Sequence, residues 1–134
     1  MAGNTPGAPA EKSPQSGFMK GLVEQGRGAA QDMRRNYDDM KEANTINADR
    51  YFHCKANCQA TERGSVGSAV ATGISHLREF QNLLEGDTAM DRGYDQSANR
   101  FGRSSPSRPD FRSCEASCEP FAPRVLAPKY RSKH

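Results

Sequence analysis

The 134-residue chain has no tryptophan, only six phenylalanines and four tyrosines, and no apolar run approaching the roughly 20 residues that cross a bilayer. The last absence excludes a membrane-spanning helix. Only 34% of residues are hydrophobic, beside 12 glycines and 8 prolines, which excludes the core of a large globular enzyme and leaves a modest core with much loop. The chain contains no His-Glu-x-x-His, no glycine-rich phosphate loop and no Gly-x-Ser-x-Gly, so no catalytic residue, metal ligand or cofactor is assigned. Charge of one sign is also missing. Nineteen basic and 16 acidic residues give a net charge of +3, too balanced for a specific nucleic-acid binder. The opening residues Met1 to Pro6 lack the basic-then-apolar pattern of a signal peptide.

What is present is helical periodicity. Residues 1–16 are Pro, Gly, Ala, Ser and Gln with few large apolar side chains, the composition of a disordered leader. From residue 17 to 103 the pattern predicts four helices. Phe18, Leu22, Ala29, Met33, Tyr37 and Met40 share one face of the first. Asn44 to Asn47 reads as a turn, and Asp49 as the N-cap of a second helix that ends at Arg63-Gly64. Ser65 then caps a third, whose Val66, Ala69, Val70, Ile74, Leu77, Phe80 and Leu84 form the clearest core stripe before Gly86. Thr88 opens a fourth, closed by Gly102. Residues 104–134 hold five prolines and predict an extended tail wrapped on the bundle, with one short helical turn near Cys114 to Cys118. The tail leans basic, a solvated face or a polyanion-binding strip. His53 reads as a structural hydrogen-bonding residue, and His76 with Arg78 and Glu79 as a buried ion-pair network.

Several local sequences resemble one family. Asp32-Met33-Arg34-Arg35-Asn36-Tyr37-Asp38-Asp39-Met40-Lys41-Glu42-Ala43-Asn44 is similar to the first-helix signature of serum amyloid A, and Asp49-Arg50-Tyr51-Phe52-His53 to its second-helix entry. Arg63-Gly64, Ile74-Ser75, Arg78-Glu79, Asp95-Gln96-Ser97-Ala98-Asn99, Phe101-Gly102-Arg103 and Pro128-Lys129-Tyr130 follow in that family's order. The resemblance implies an all-α four-helix bundle that binds lipid or lipoprotein surfaces, or apolar small molecules, with affinity for heparan-type polyanions and a tendency to self-associate. It implies a secreted, extracellular, non-enzymatic protein. Phe18, Leu22, Met33 and Tyr37 are the expected apolar contact residues, and Arg35 and Arg63 the expected polyanion contacts. The sequence departs from the family pattern at Arg34, where a tryptophan is usual, at Gln31, in the reduced loop Gly64 to Gly67, and in a longer tail bearing two cysteines. Cysteine-bearing relatives look more like domains at the C-termini of bacterial polymorphic toxins, so an exported effector acting on membranes is the alternative.

Cys54 with Cys58 and Cys114 with Cys118 are two C-x3-C pairs, each presenting both thiols from one helix face. A bridge within a pair is awkward, whereas an antiparallel approach of the two gives Cys54 with Cys118 and Cys58 with Cys114. Such bridges close loops of about 60 residues and contribute roughly 2–4 kcal/mol each. Zinc held by the four thiolates, with His53 as a substitute ligand, and free thiols remain the alternatives.

Overall fold

The computed structural model describes residues 14–84 and 89–131, and within them every regular element is helical. The four long helices are α1 (Pro14–Ala43), α2 (Asp49–Glu62), α3 (Ser65–Leu84) and α4 (Ala89–Ser104). The short α5 (Cys114–Cys118) falls where one helical turn is expected in the tail. Most of the expected leader, and the terminator Gly86 and cap Thr88, lie outside the described residues. The tail wraps the bundle as expected, but through 3-10 turns at Ser105–Ser107, Glu119–Phe121 and Pro128–Arg131 rather than as extended chain.

Local chemistry accounts for most helix ends and corrects two expectations. Asn44 and Asn47 adopt φ of 43° and 67°, a left-handed conformation that asparagine tolerates, and they fold the α1–α2 turn. Asp49 is not the N-cap of α2. Ala48 occupies that place without a side-chain bond, and Asp49 sits in the first turn, where its charge faces the positive helix end. Gly64, at φ 128°, ends α2 as the sequence predicts. Gly102 does not close α4, which runs on to Ser104. A Cβ at Gly102 would overlap the Cys54 carbonyl, so this glycine permits the close α2–α4 crossing instead. In α5, Ser113 Oγ accepts the Ala116 N–H at 3.0 Å.

The centre of the molecule is α2, which contacts all four other helices. Tyr51 through Cys58 are all buried, Lys55 and Asn57 among them. Asn57 finds its own partners on three helices. Its Nδ2 donates to the His53 carbonyl at 2.8 Å and to Asn99 Oδ1 at 2.9 Å. Its Oδ1 accepts from Ser75 Oγ at 3.1 Å and Arg103 Nη1 at 2.8 Å. Lys55 Nζ donates to the Tyr130 carbonyl at 3.0 Å, as does the Tyr51 hydroxyl at 3.1 Å. Burial pushes the Lys55 ammonium below the ordinary lysine range.

Among the described side chains the stripe on α3 is only partly core, with Val70 and Ile74 packed against the Ala29–Met33–Ala71 cluster, and those of Phe80 and Leu84 lie outside the described residues. Ala71 and Ser75 are buried, but Val66, Val70 and Ile74 are half-buried and Leu77 is 58% exposed. No fifth long helix covers that face among the described residues, so the stripe forms an edge.

Candidate functional site: an apolar edge and a paired-arginine cleft

The apolar edge follows from unequal helix lengths. α1 spans 30 residues, whereas α2 ends beside its middle, where Arg63 lies against Gly28. α3 begins there too, and its Val66 N–H donates to Gln25 Oε1 at 3.2 Å. α1 therefore projects past both neighbours over residues 14–24, about 16 Å at 1.5 Å per residue. Phe18 (66% exposed), Met19 and Val23 stand in solvent on this projection, while Leu22 is half-buried. Gly26 lies 3.5 Å from Val66 and 3.8 Å from Val70 by its Cβ position, which joins the projection to the half-buried stripe of α3.

The four expected apolar contact residues thus divide. Phe18 and Leu22 lie on the edge, but Met33 and Tyr37 are in the core with Ala29, Ala56, Ala60 and Ala71. The reason is that α2 and α3 cover the middle of α1 and leave only its start uncovered. Tyr37 is further held by the Arg78 guanidinium, 4.9 Å from its ring centroid, and by the His53 ring at 5.5 Å.

Arg35 and Arg63 do come together, on a buried carboxylate the sequence reading did not single out. Arg63 approaches Asp32 through Nε at 2.5 Å and Nη2 at 3.1 Å, and Arg35 Nη2 lies 2.8 Å from Asp32 Oδ1. The bond to Asp32 raises the Arg63 pKa further. The two arginines border an open cleft of about 300 Å³, shared with Gln59, Glu62, Arg112 and Glu115. Its three cations are matched by three carboxylates. The Asp32-to-Arg35 step of three residues is a helical pairing signal that the sequence carried, whereas the partner Arg63, 31 residues away, leaves no local trace.

The cysteines pair as the antiparallel approach requires. Cys54 binds Cys118 and Cys58 binds Cys114, with Cα–Cα distances of 5.8 and 5.6 Å. No cysteine among the described residues is free, so neither the thiolate zinc site nor the free-thiol alternative stands. The two bridges fix α5 to α2, and Leu126 and Tyr130 complete the same core cluster.

The histidines have different fates. His53 is buried, with Nε2 3.6 Å from Asp95. Burial, with the nearby Arg78 charge, lowers its pKa to about 4, so the ring is neutral near pH 7. His76 is not part of a buried ion-pair network. It is exposed, and its Nδ1 lies 3.4 Å from Gln96 Nε2.

Comparison with known proteins agrees with this architecture. The family model described as serum amyloid A protein matches residues 19–119. A serum amyloid A-2 protein from Oryctolagus cuniculus is 46% identical over 96 residues, covering 72% of this chain and 78% of the relative. A serum amyloid A-3 protein from Mus musculus is 44% identical over 95 residues, 71% of this chain and 75% of the relative. A serum amyloid A-1 protein from Homo sapiens is 43% identical over 83 residues, 62% of this chain and 68% of the relative. The matched segment contains both halves of the disulfide staple, the cleft residues and the edge residues from Met19 onward, but not Phe18. The chain belongs to the serum amyloid A family.

Proposed function

We propose that the protein is a secreted, non-enzymatic binder of lipid or lipoprotein surfaces, attaching through the apolar edge of α1 and α3. The observation that carries the reading is the group Phe18, Met19 and Val23, exposed on the first turns of α1. Large apolar side chains clustered outside the core mark an interaction surface, since leaving them in water is unfavourable. Leu22, Val66, Val70, Ile74 and Leu77 continue the edge, and Lys20 and Arg27 flank it with charge suited to anionic headgroups. An apolar small molecule fits the same edge, and so does a second copy of the chain, which would compete with lipid. Family membership supports the extracellular setting and the absence of enzymatic activity. Neither the fold nor the relatives favour an exported effector.

Polyanion binding at Arg35 and Arg63 is a second reading, favoured by their convergence with Arg112 on one cleft. A sulfated glycan there competes with Asp32 for both arginines, so the affinity expected is weak and salt-sensitive.

Flotation with phosphatidylcholine vesicles tests the first reading. A Phe18→Asp, Val23→Asp variant is expected to lose vesicle affinity by about tenfold or more while melting like the wild type. Undiminished binding by that variant would sink the proposal.

A further inference from the structure

The opposite end of the bundle carries a second pair of apolar side chains for which the fold has no use. Ile46 stands at the apex of the α1–α2 turn and is 82% exposed. The left-handed Asn44 and Asn47, with Thr45 Oγ donating to the Ala43 carbonyl at 2.9 Å, hold the turn without help from the Ile46 side chain. Val125 is 78% exposed at a bend in the tail, where Leu126 N–H donates to the Pro123 carbonyl at 3.0 Å and Leu126 itself turns into the core. A polar residue serves either turn equally well, yet both positions present a branched aliphatic to solvent.

The two turns lie at the same end. Leu126 and Tyr130 share a core cluster with Ala48, Met40 and Ala43 at the α1–α2 junction. The Tyr130 hydroxyl donates to Glu42 at 2.6 Å, and Lys129 Nζ lies 3.3 Å from the same carboxylate. Beside Ile46 an open cleft of about 290 Å³ is lined by Met40, Lys41, Asn44, Thr45 and Asp49. Lys41, Arg124 and Lys129 are exposed around the two aliphatics. Of the nearby acids, Glu42 is engaged by Lys129 and Tyr130, and Asp49 lines the cleft.

We infer that this end is a second lipid contact, in which Ile46 and Val125 enter an anionic phospholipid surface while Lys41 and Arg124 meet the headgroup phosphates. Aliphatic tips ringed by lysine and arginine match a bilayer face in both polarity and charge. The inference rests on the lipid-binding reading and extends it. The first contact lies at the start of α1 and the second beyond its end, about 40 Å away along a 30-residue helix. A molecule with an apolar contact at each end can tether two vesicles as well as bind one.

Flotation and turbidity with vesicles of phosphatidylglycerol and phosphatidylcholine test this directly. An Ile46→Ser, Val125→Ser variant changes no charge and touches no core residue, and its thermal melt checks the fold. It is expected to lose the wild type's vesicle clustering and to bind anionic vesicles about threefold to tenfold more weakly. A Lys41→Gln, Arg124→Gln variant is expected to reproduce the loss on anionic vesicles only. Clustering and affinity unchanged in the serine variant would overturn the second contact. So would a loss seen with the glutamine variant alone, because simple charge adsorption would explain it. The first contact fails separately: a Phe18→Asp, Val23→Asp variant that binds and clusters like the wild type removes the edge and spares this end. No vesicle binding by the wild type removes both.

Discussion

α2 and α3 invert the burial that their sequences advertise. α3 has the clean three-and-four spacing of valine, isoleucine and leucine, and it lies at an edge with Leu77 largely in water. α2 mixes lysine, asparagine and histidine among its apolar residues, and every side of it is buried from Tyr51 to Cys58. Periodicity reports how many faces of a helix are covered only when one face is covered. A helix at the centre of a bundle has no solvent face, so its polar residues must instead find partners inside. Asn57, Lys55 and Tyr51 do so with the Ser75 hydroxyl of α3, the Asn99 amide of α4 and the Tyr130 carbonyl of the tail. What stabilises α2 is therefore polar satisfaction together with packing, whereas α3 leaves part of its apolar stripe uncovered.

This contrast breaks most sharply at Asn57. Replacing it with alanine strands Ser75, Asn99 and the Arg103 guanidinium inside the molecule, and the expected loss is about 3–5 kcal/mol of unfolding free energy. Urea denaturation followed by helical circular dichroism measures it. A loss below about 1 kcal/mol would mean that water enters and replaces the hub.

The next effect is pH-dependent and belongs to α2 as well. The folded protein holds His53 at about 4, whereas an unfolded histidine titrates at its ordinary value of about 6.5. The unfolded state therefore takes up the proton first as pH falls. The stability due to a neutral His53 is fully present above about pH 6.5 and is lost progressively toward pH 4, a total of roughly 3 kcal/mol. Unfolding free energies measured from pH 7.5 to 4 in wild type and His53→Gln should diverge in slope over that window. Parallel curves would mean that His53 does not set the acid sensitivity.

The smallest effect is expected on α3. Leu77→Ser should change stability by no more than about 0.5 kcal/mol, despite removing a large apolar side chain from the best apolar stripe. A loss of 2 kcal/mol or more in thermal melting would show that the stripe is core after all, and the contrast between the two helices would disappear.

Legibility in the sequence follows the range of the interaction. The α1–α2 turn, the Gly64 stop, the helical turn around Cys114 and the register of the two cysteine pairs all rest on contacts within a few residues or on one spacing repeated twice. All of these were readable. Gly102 was misread because a terminator and a close-contact glycine look identical until the Cys54 carbonyl is placed against it. Asp32 was passed over because its role depends on Arg63, across a turn and most of α2.

The sequence by itself determined that the chain is helical, where most of its helices begin and end, which family it resembles, and that its four thiols are disposed to join α2 to the tail. Those features are encoded by local dihedral preference, by periodicity and by the spacing of like residues. Only the tertiary structure decided which helix is central, that Met33 and Tyr37 are core while Phe18 and Val23 are surface, and that Arg35 and Arg63 share one carboxylate. The reason is that burial belongs to the arrangement of neighbours. α1 exposes its first turns because α2 and α3 are shorter, and no residue within those turns records that difference in length.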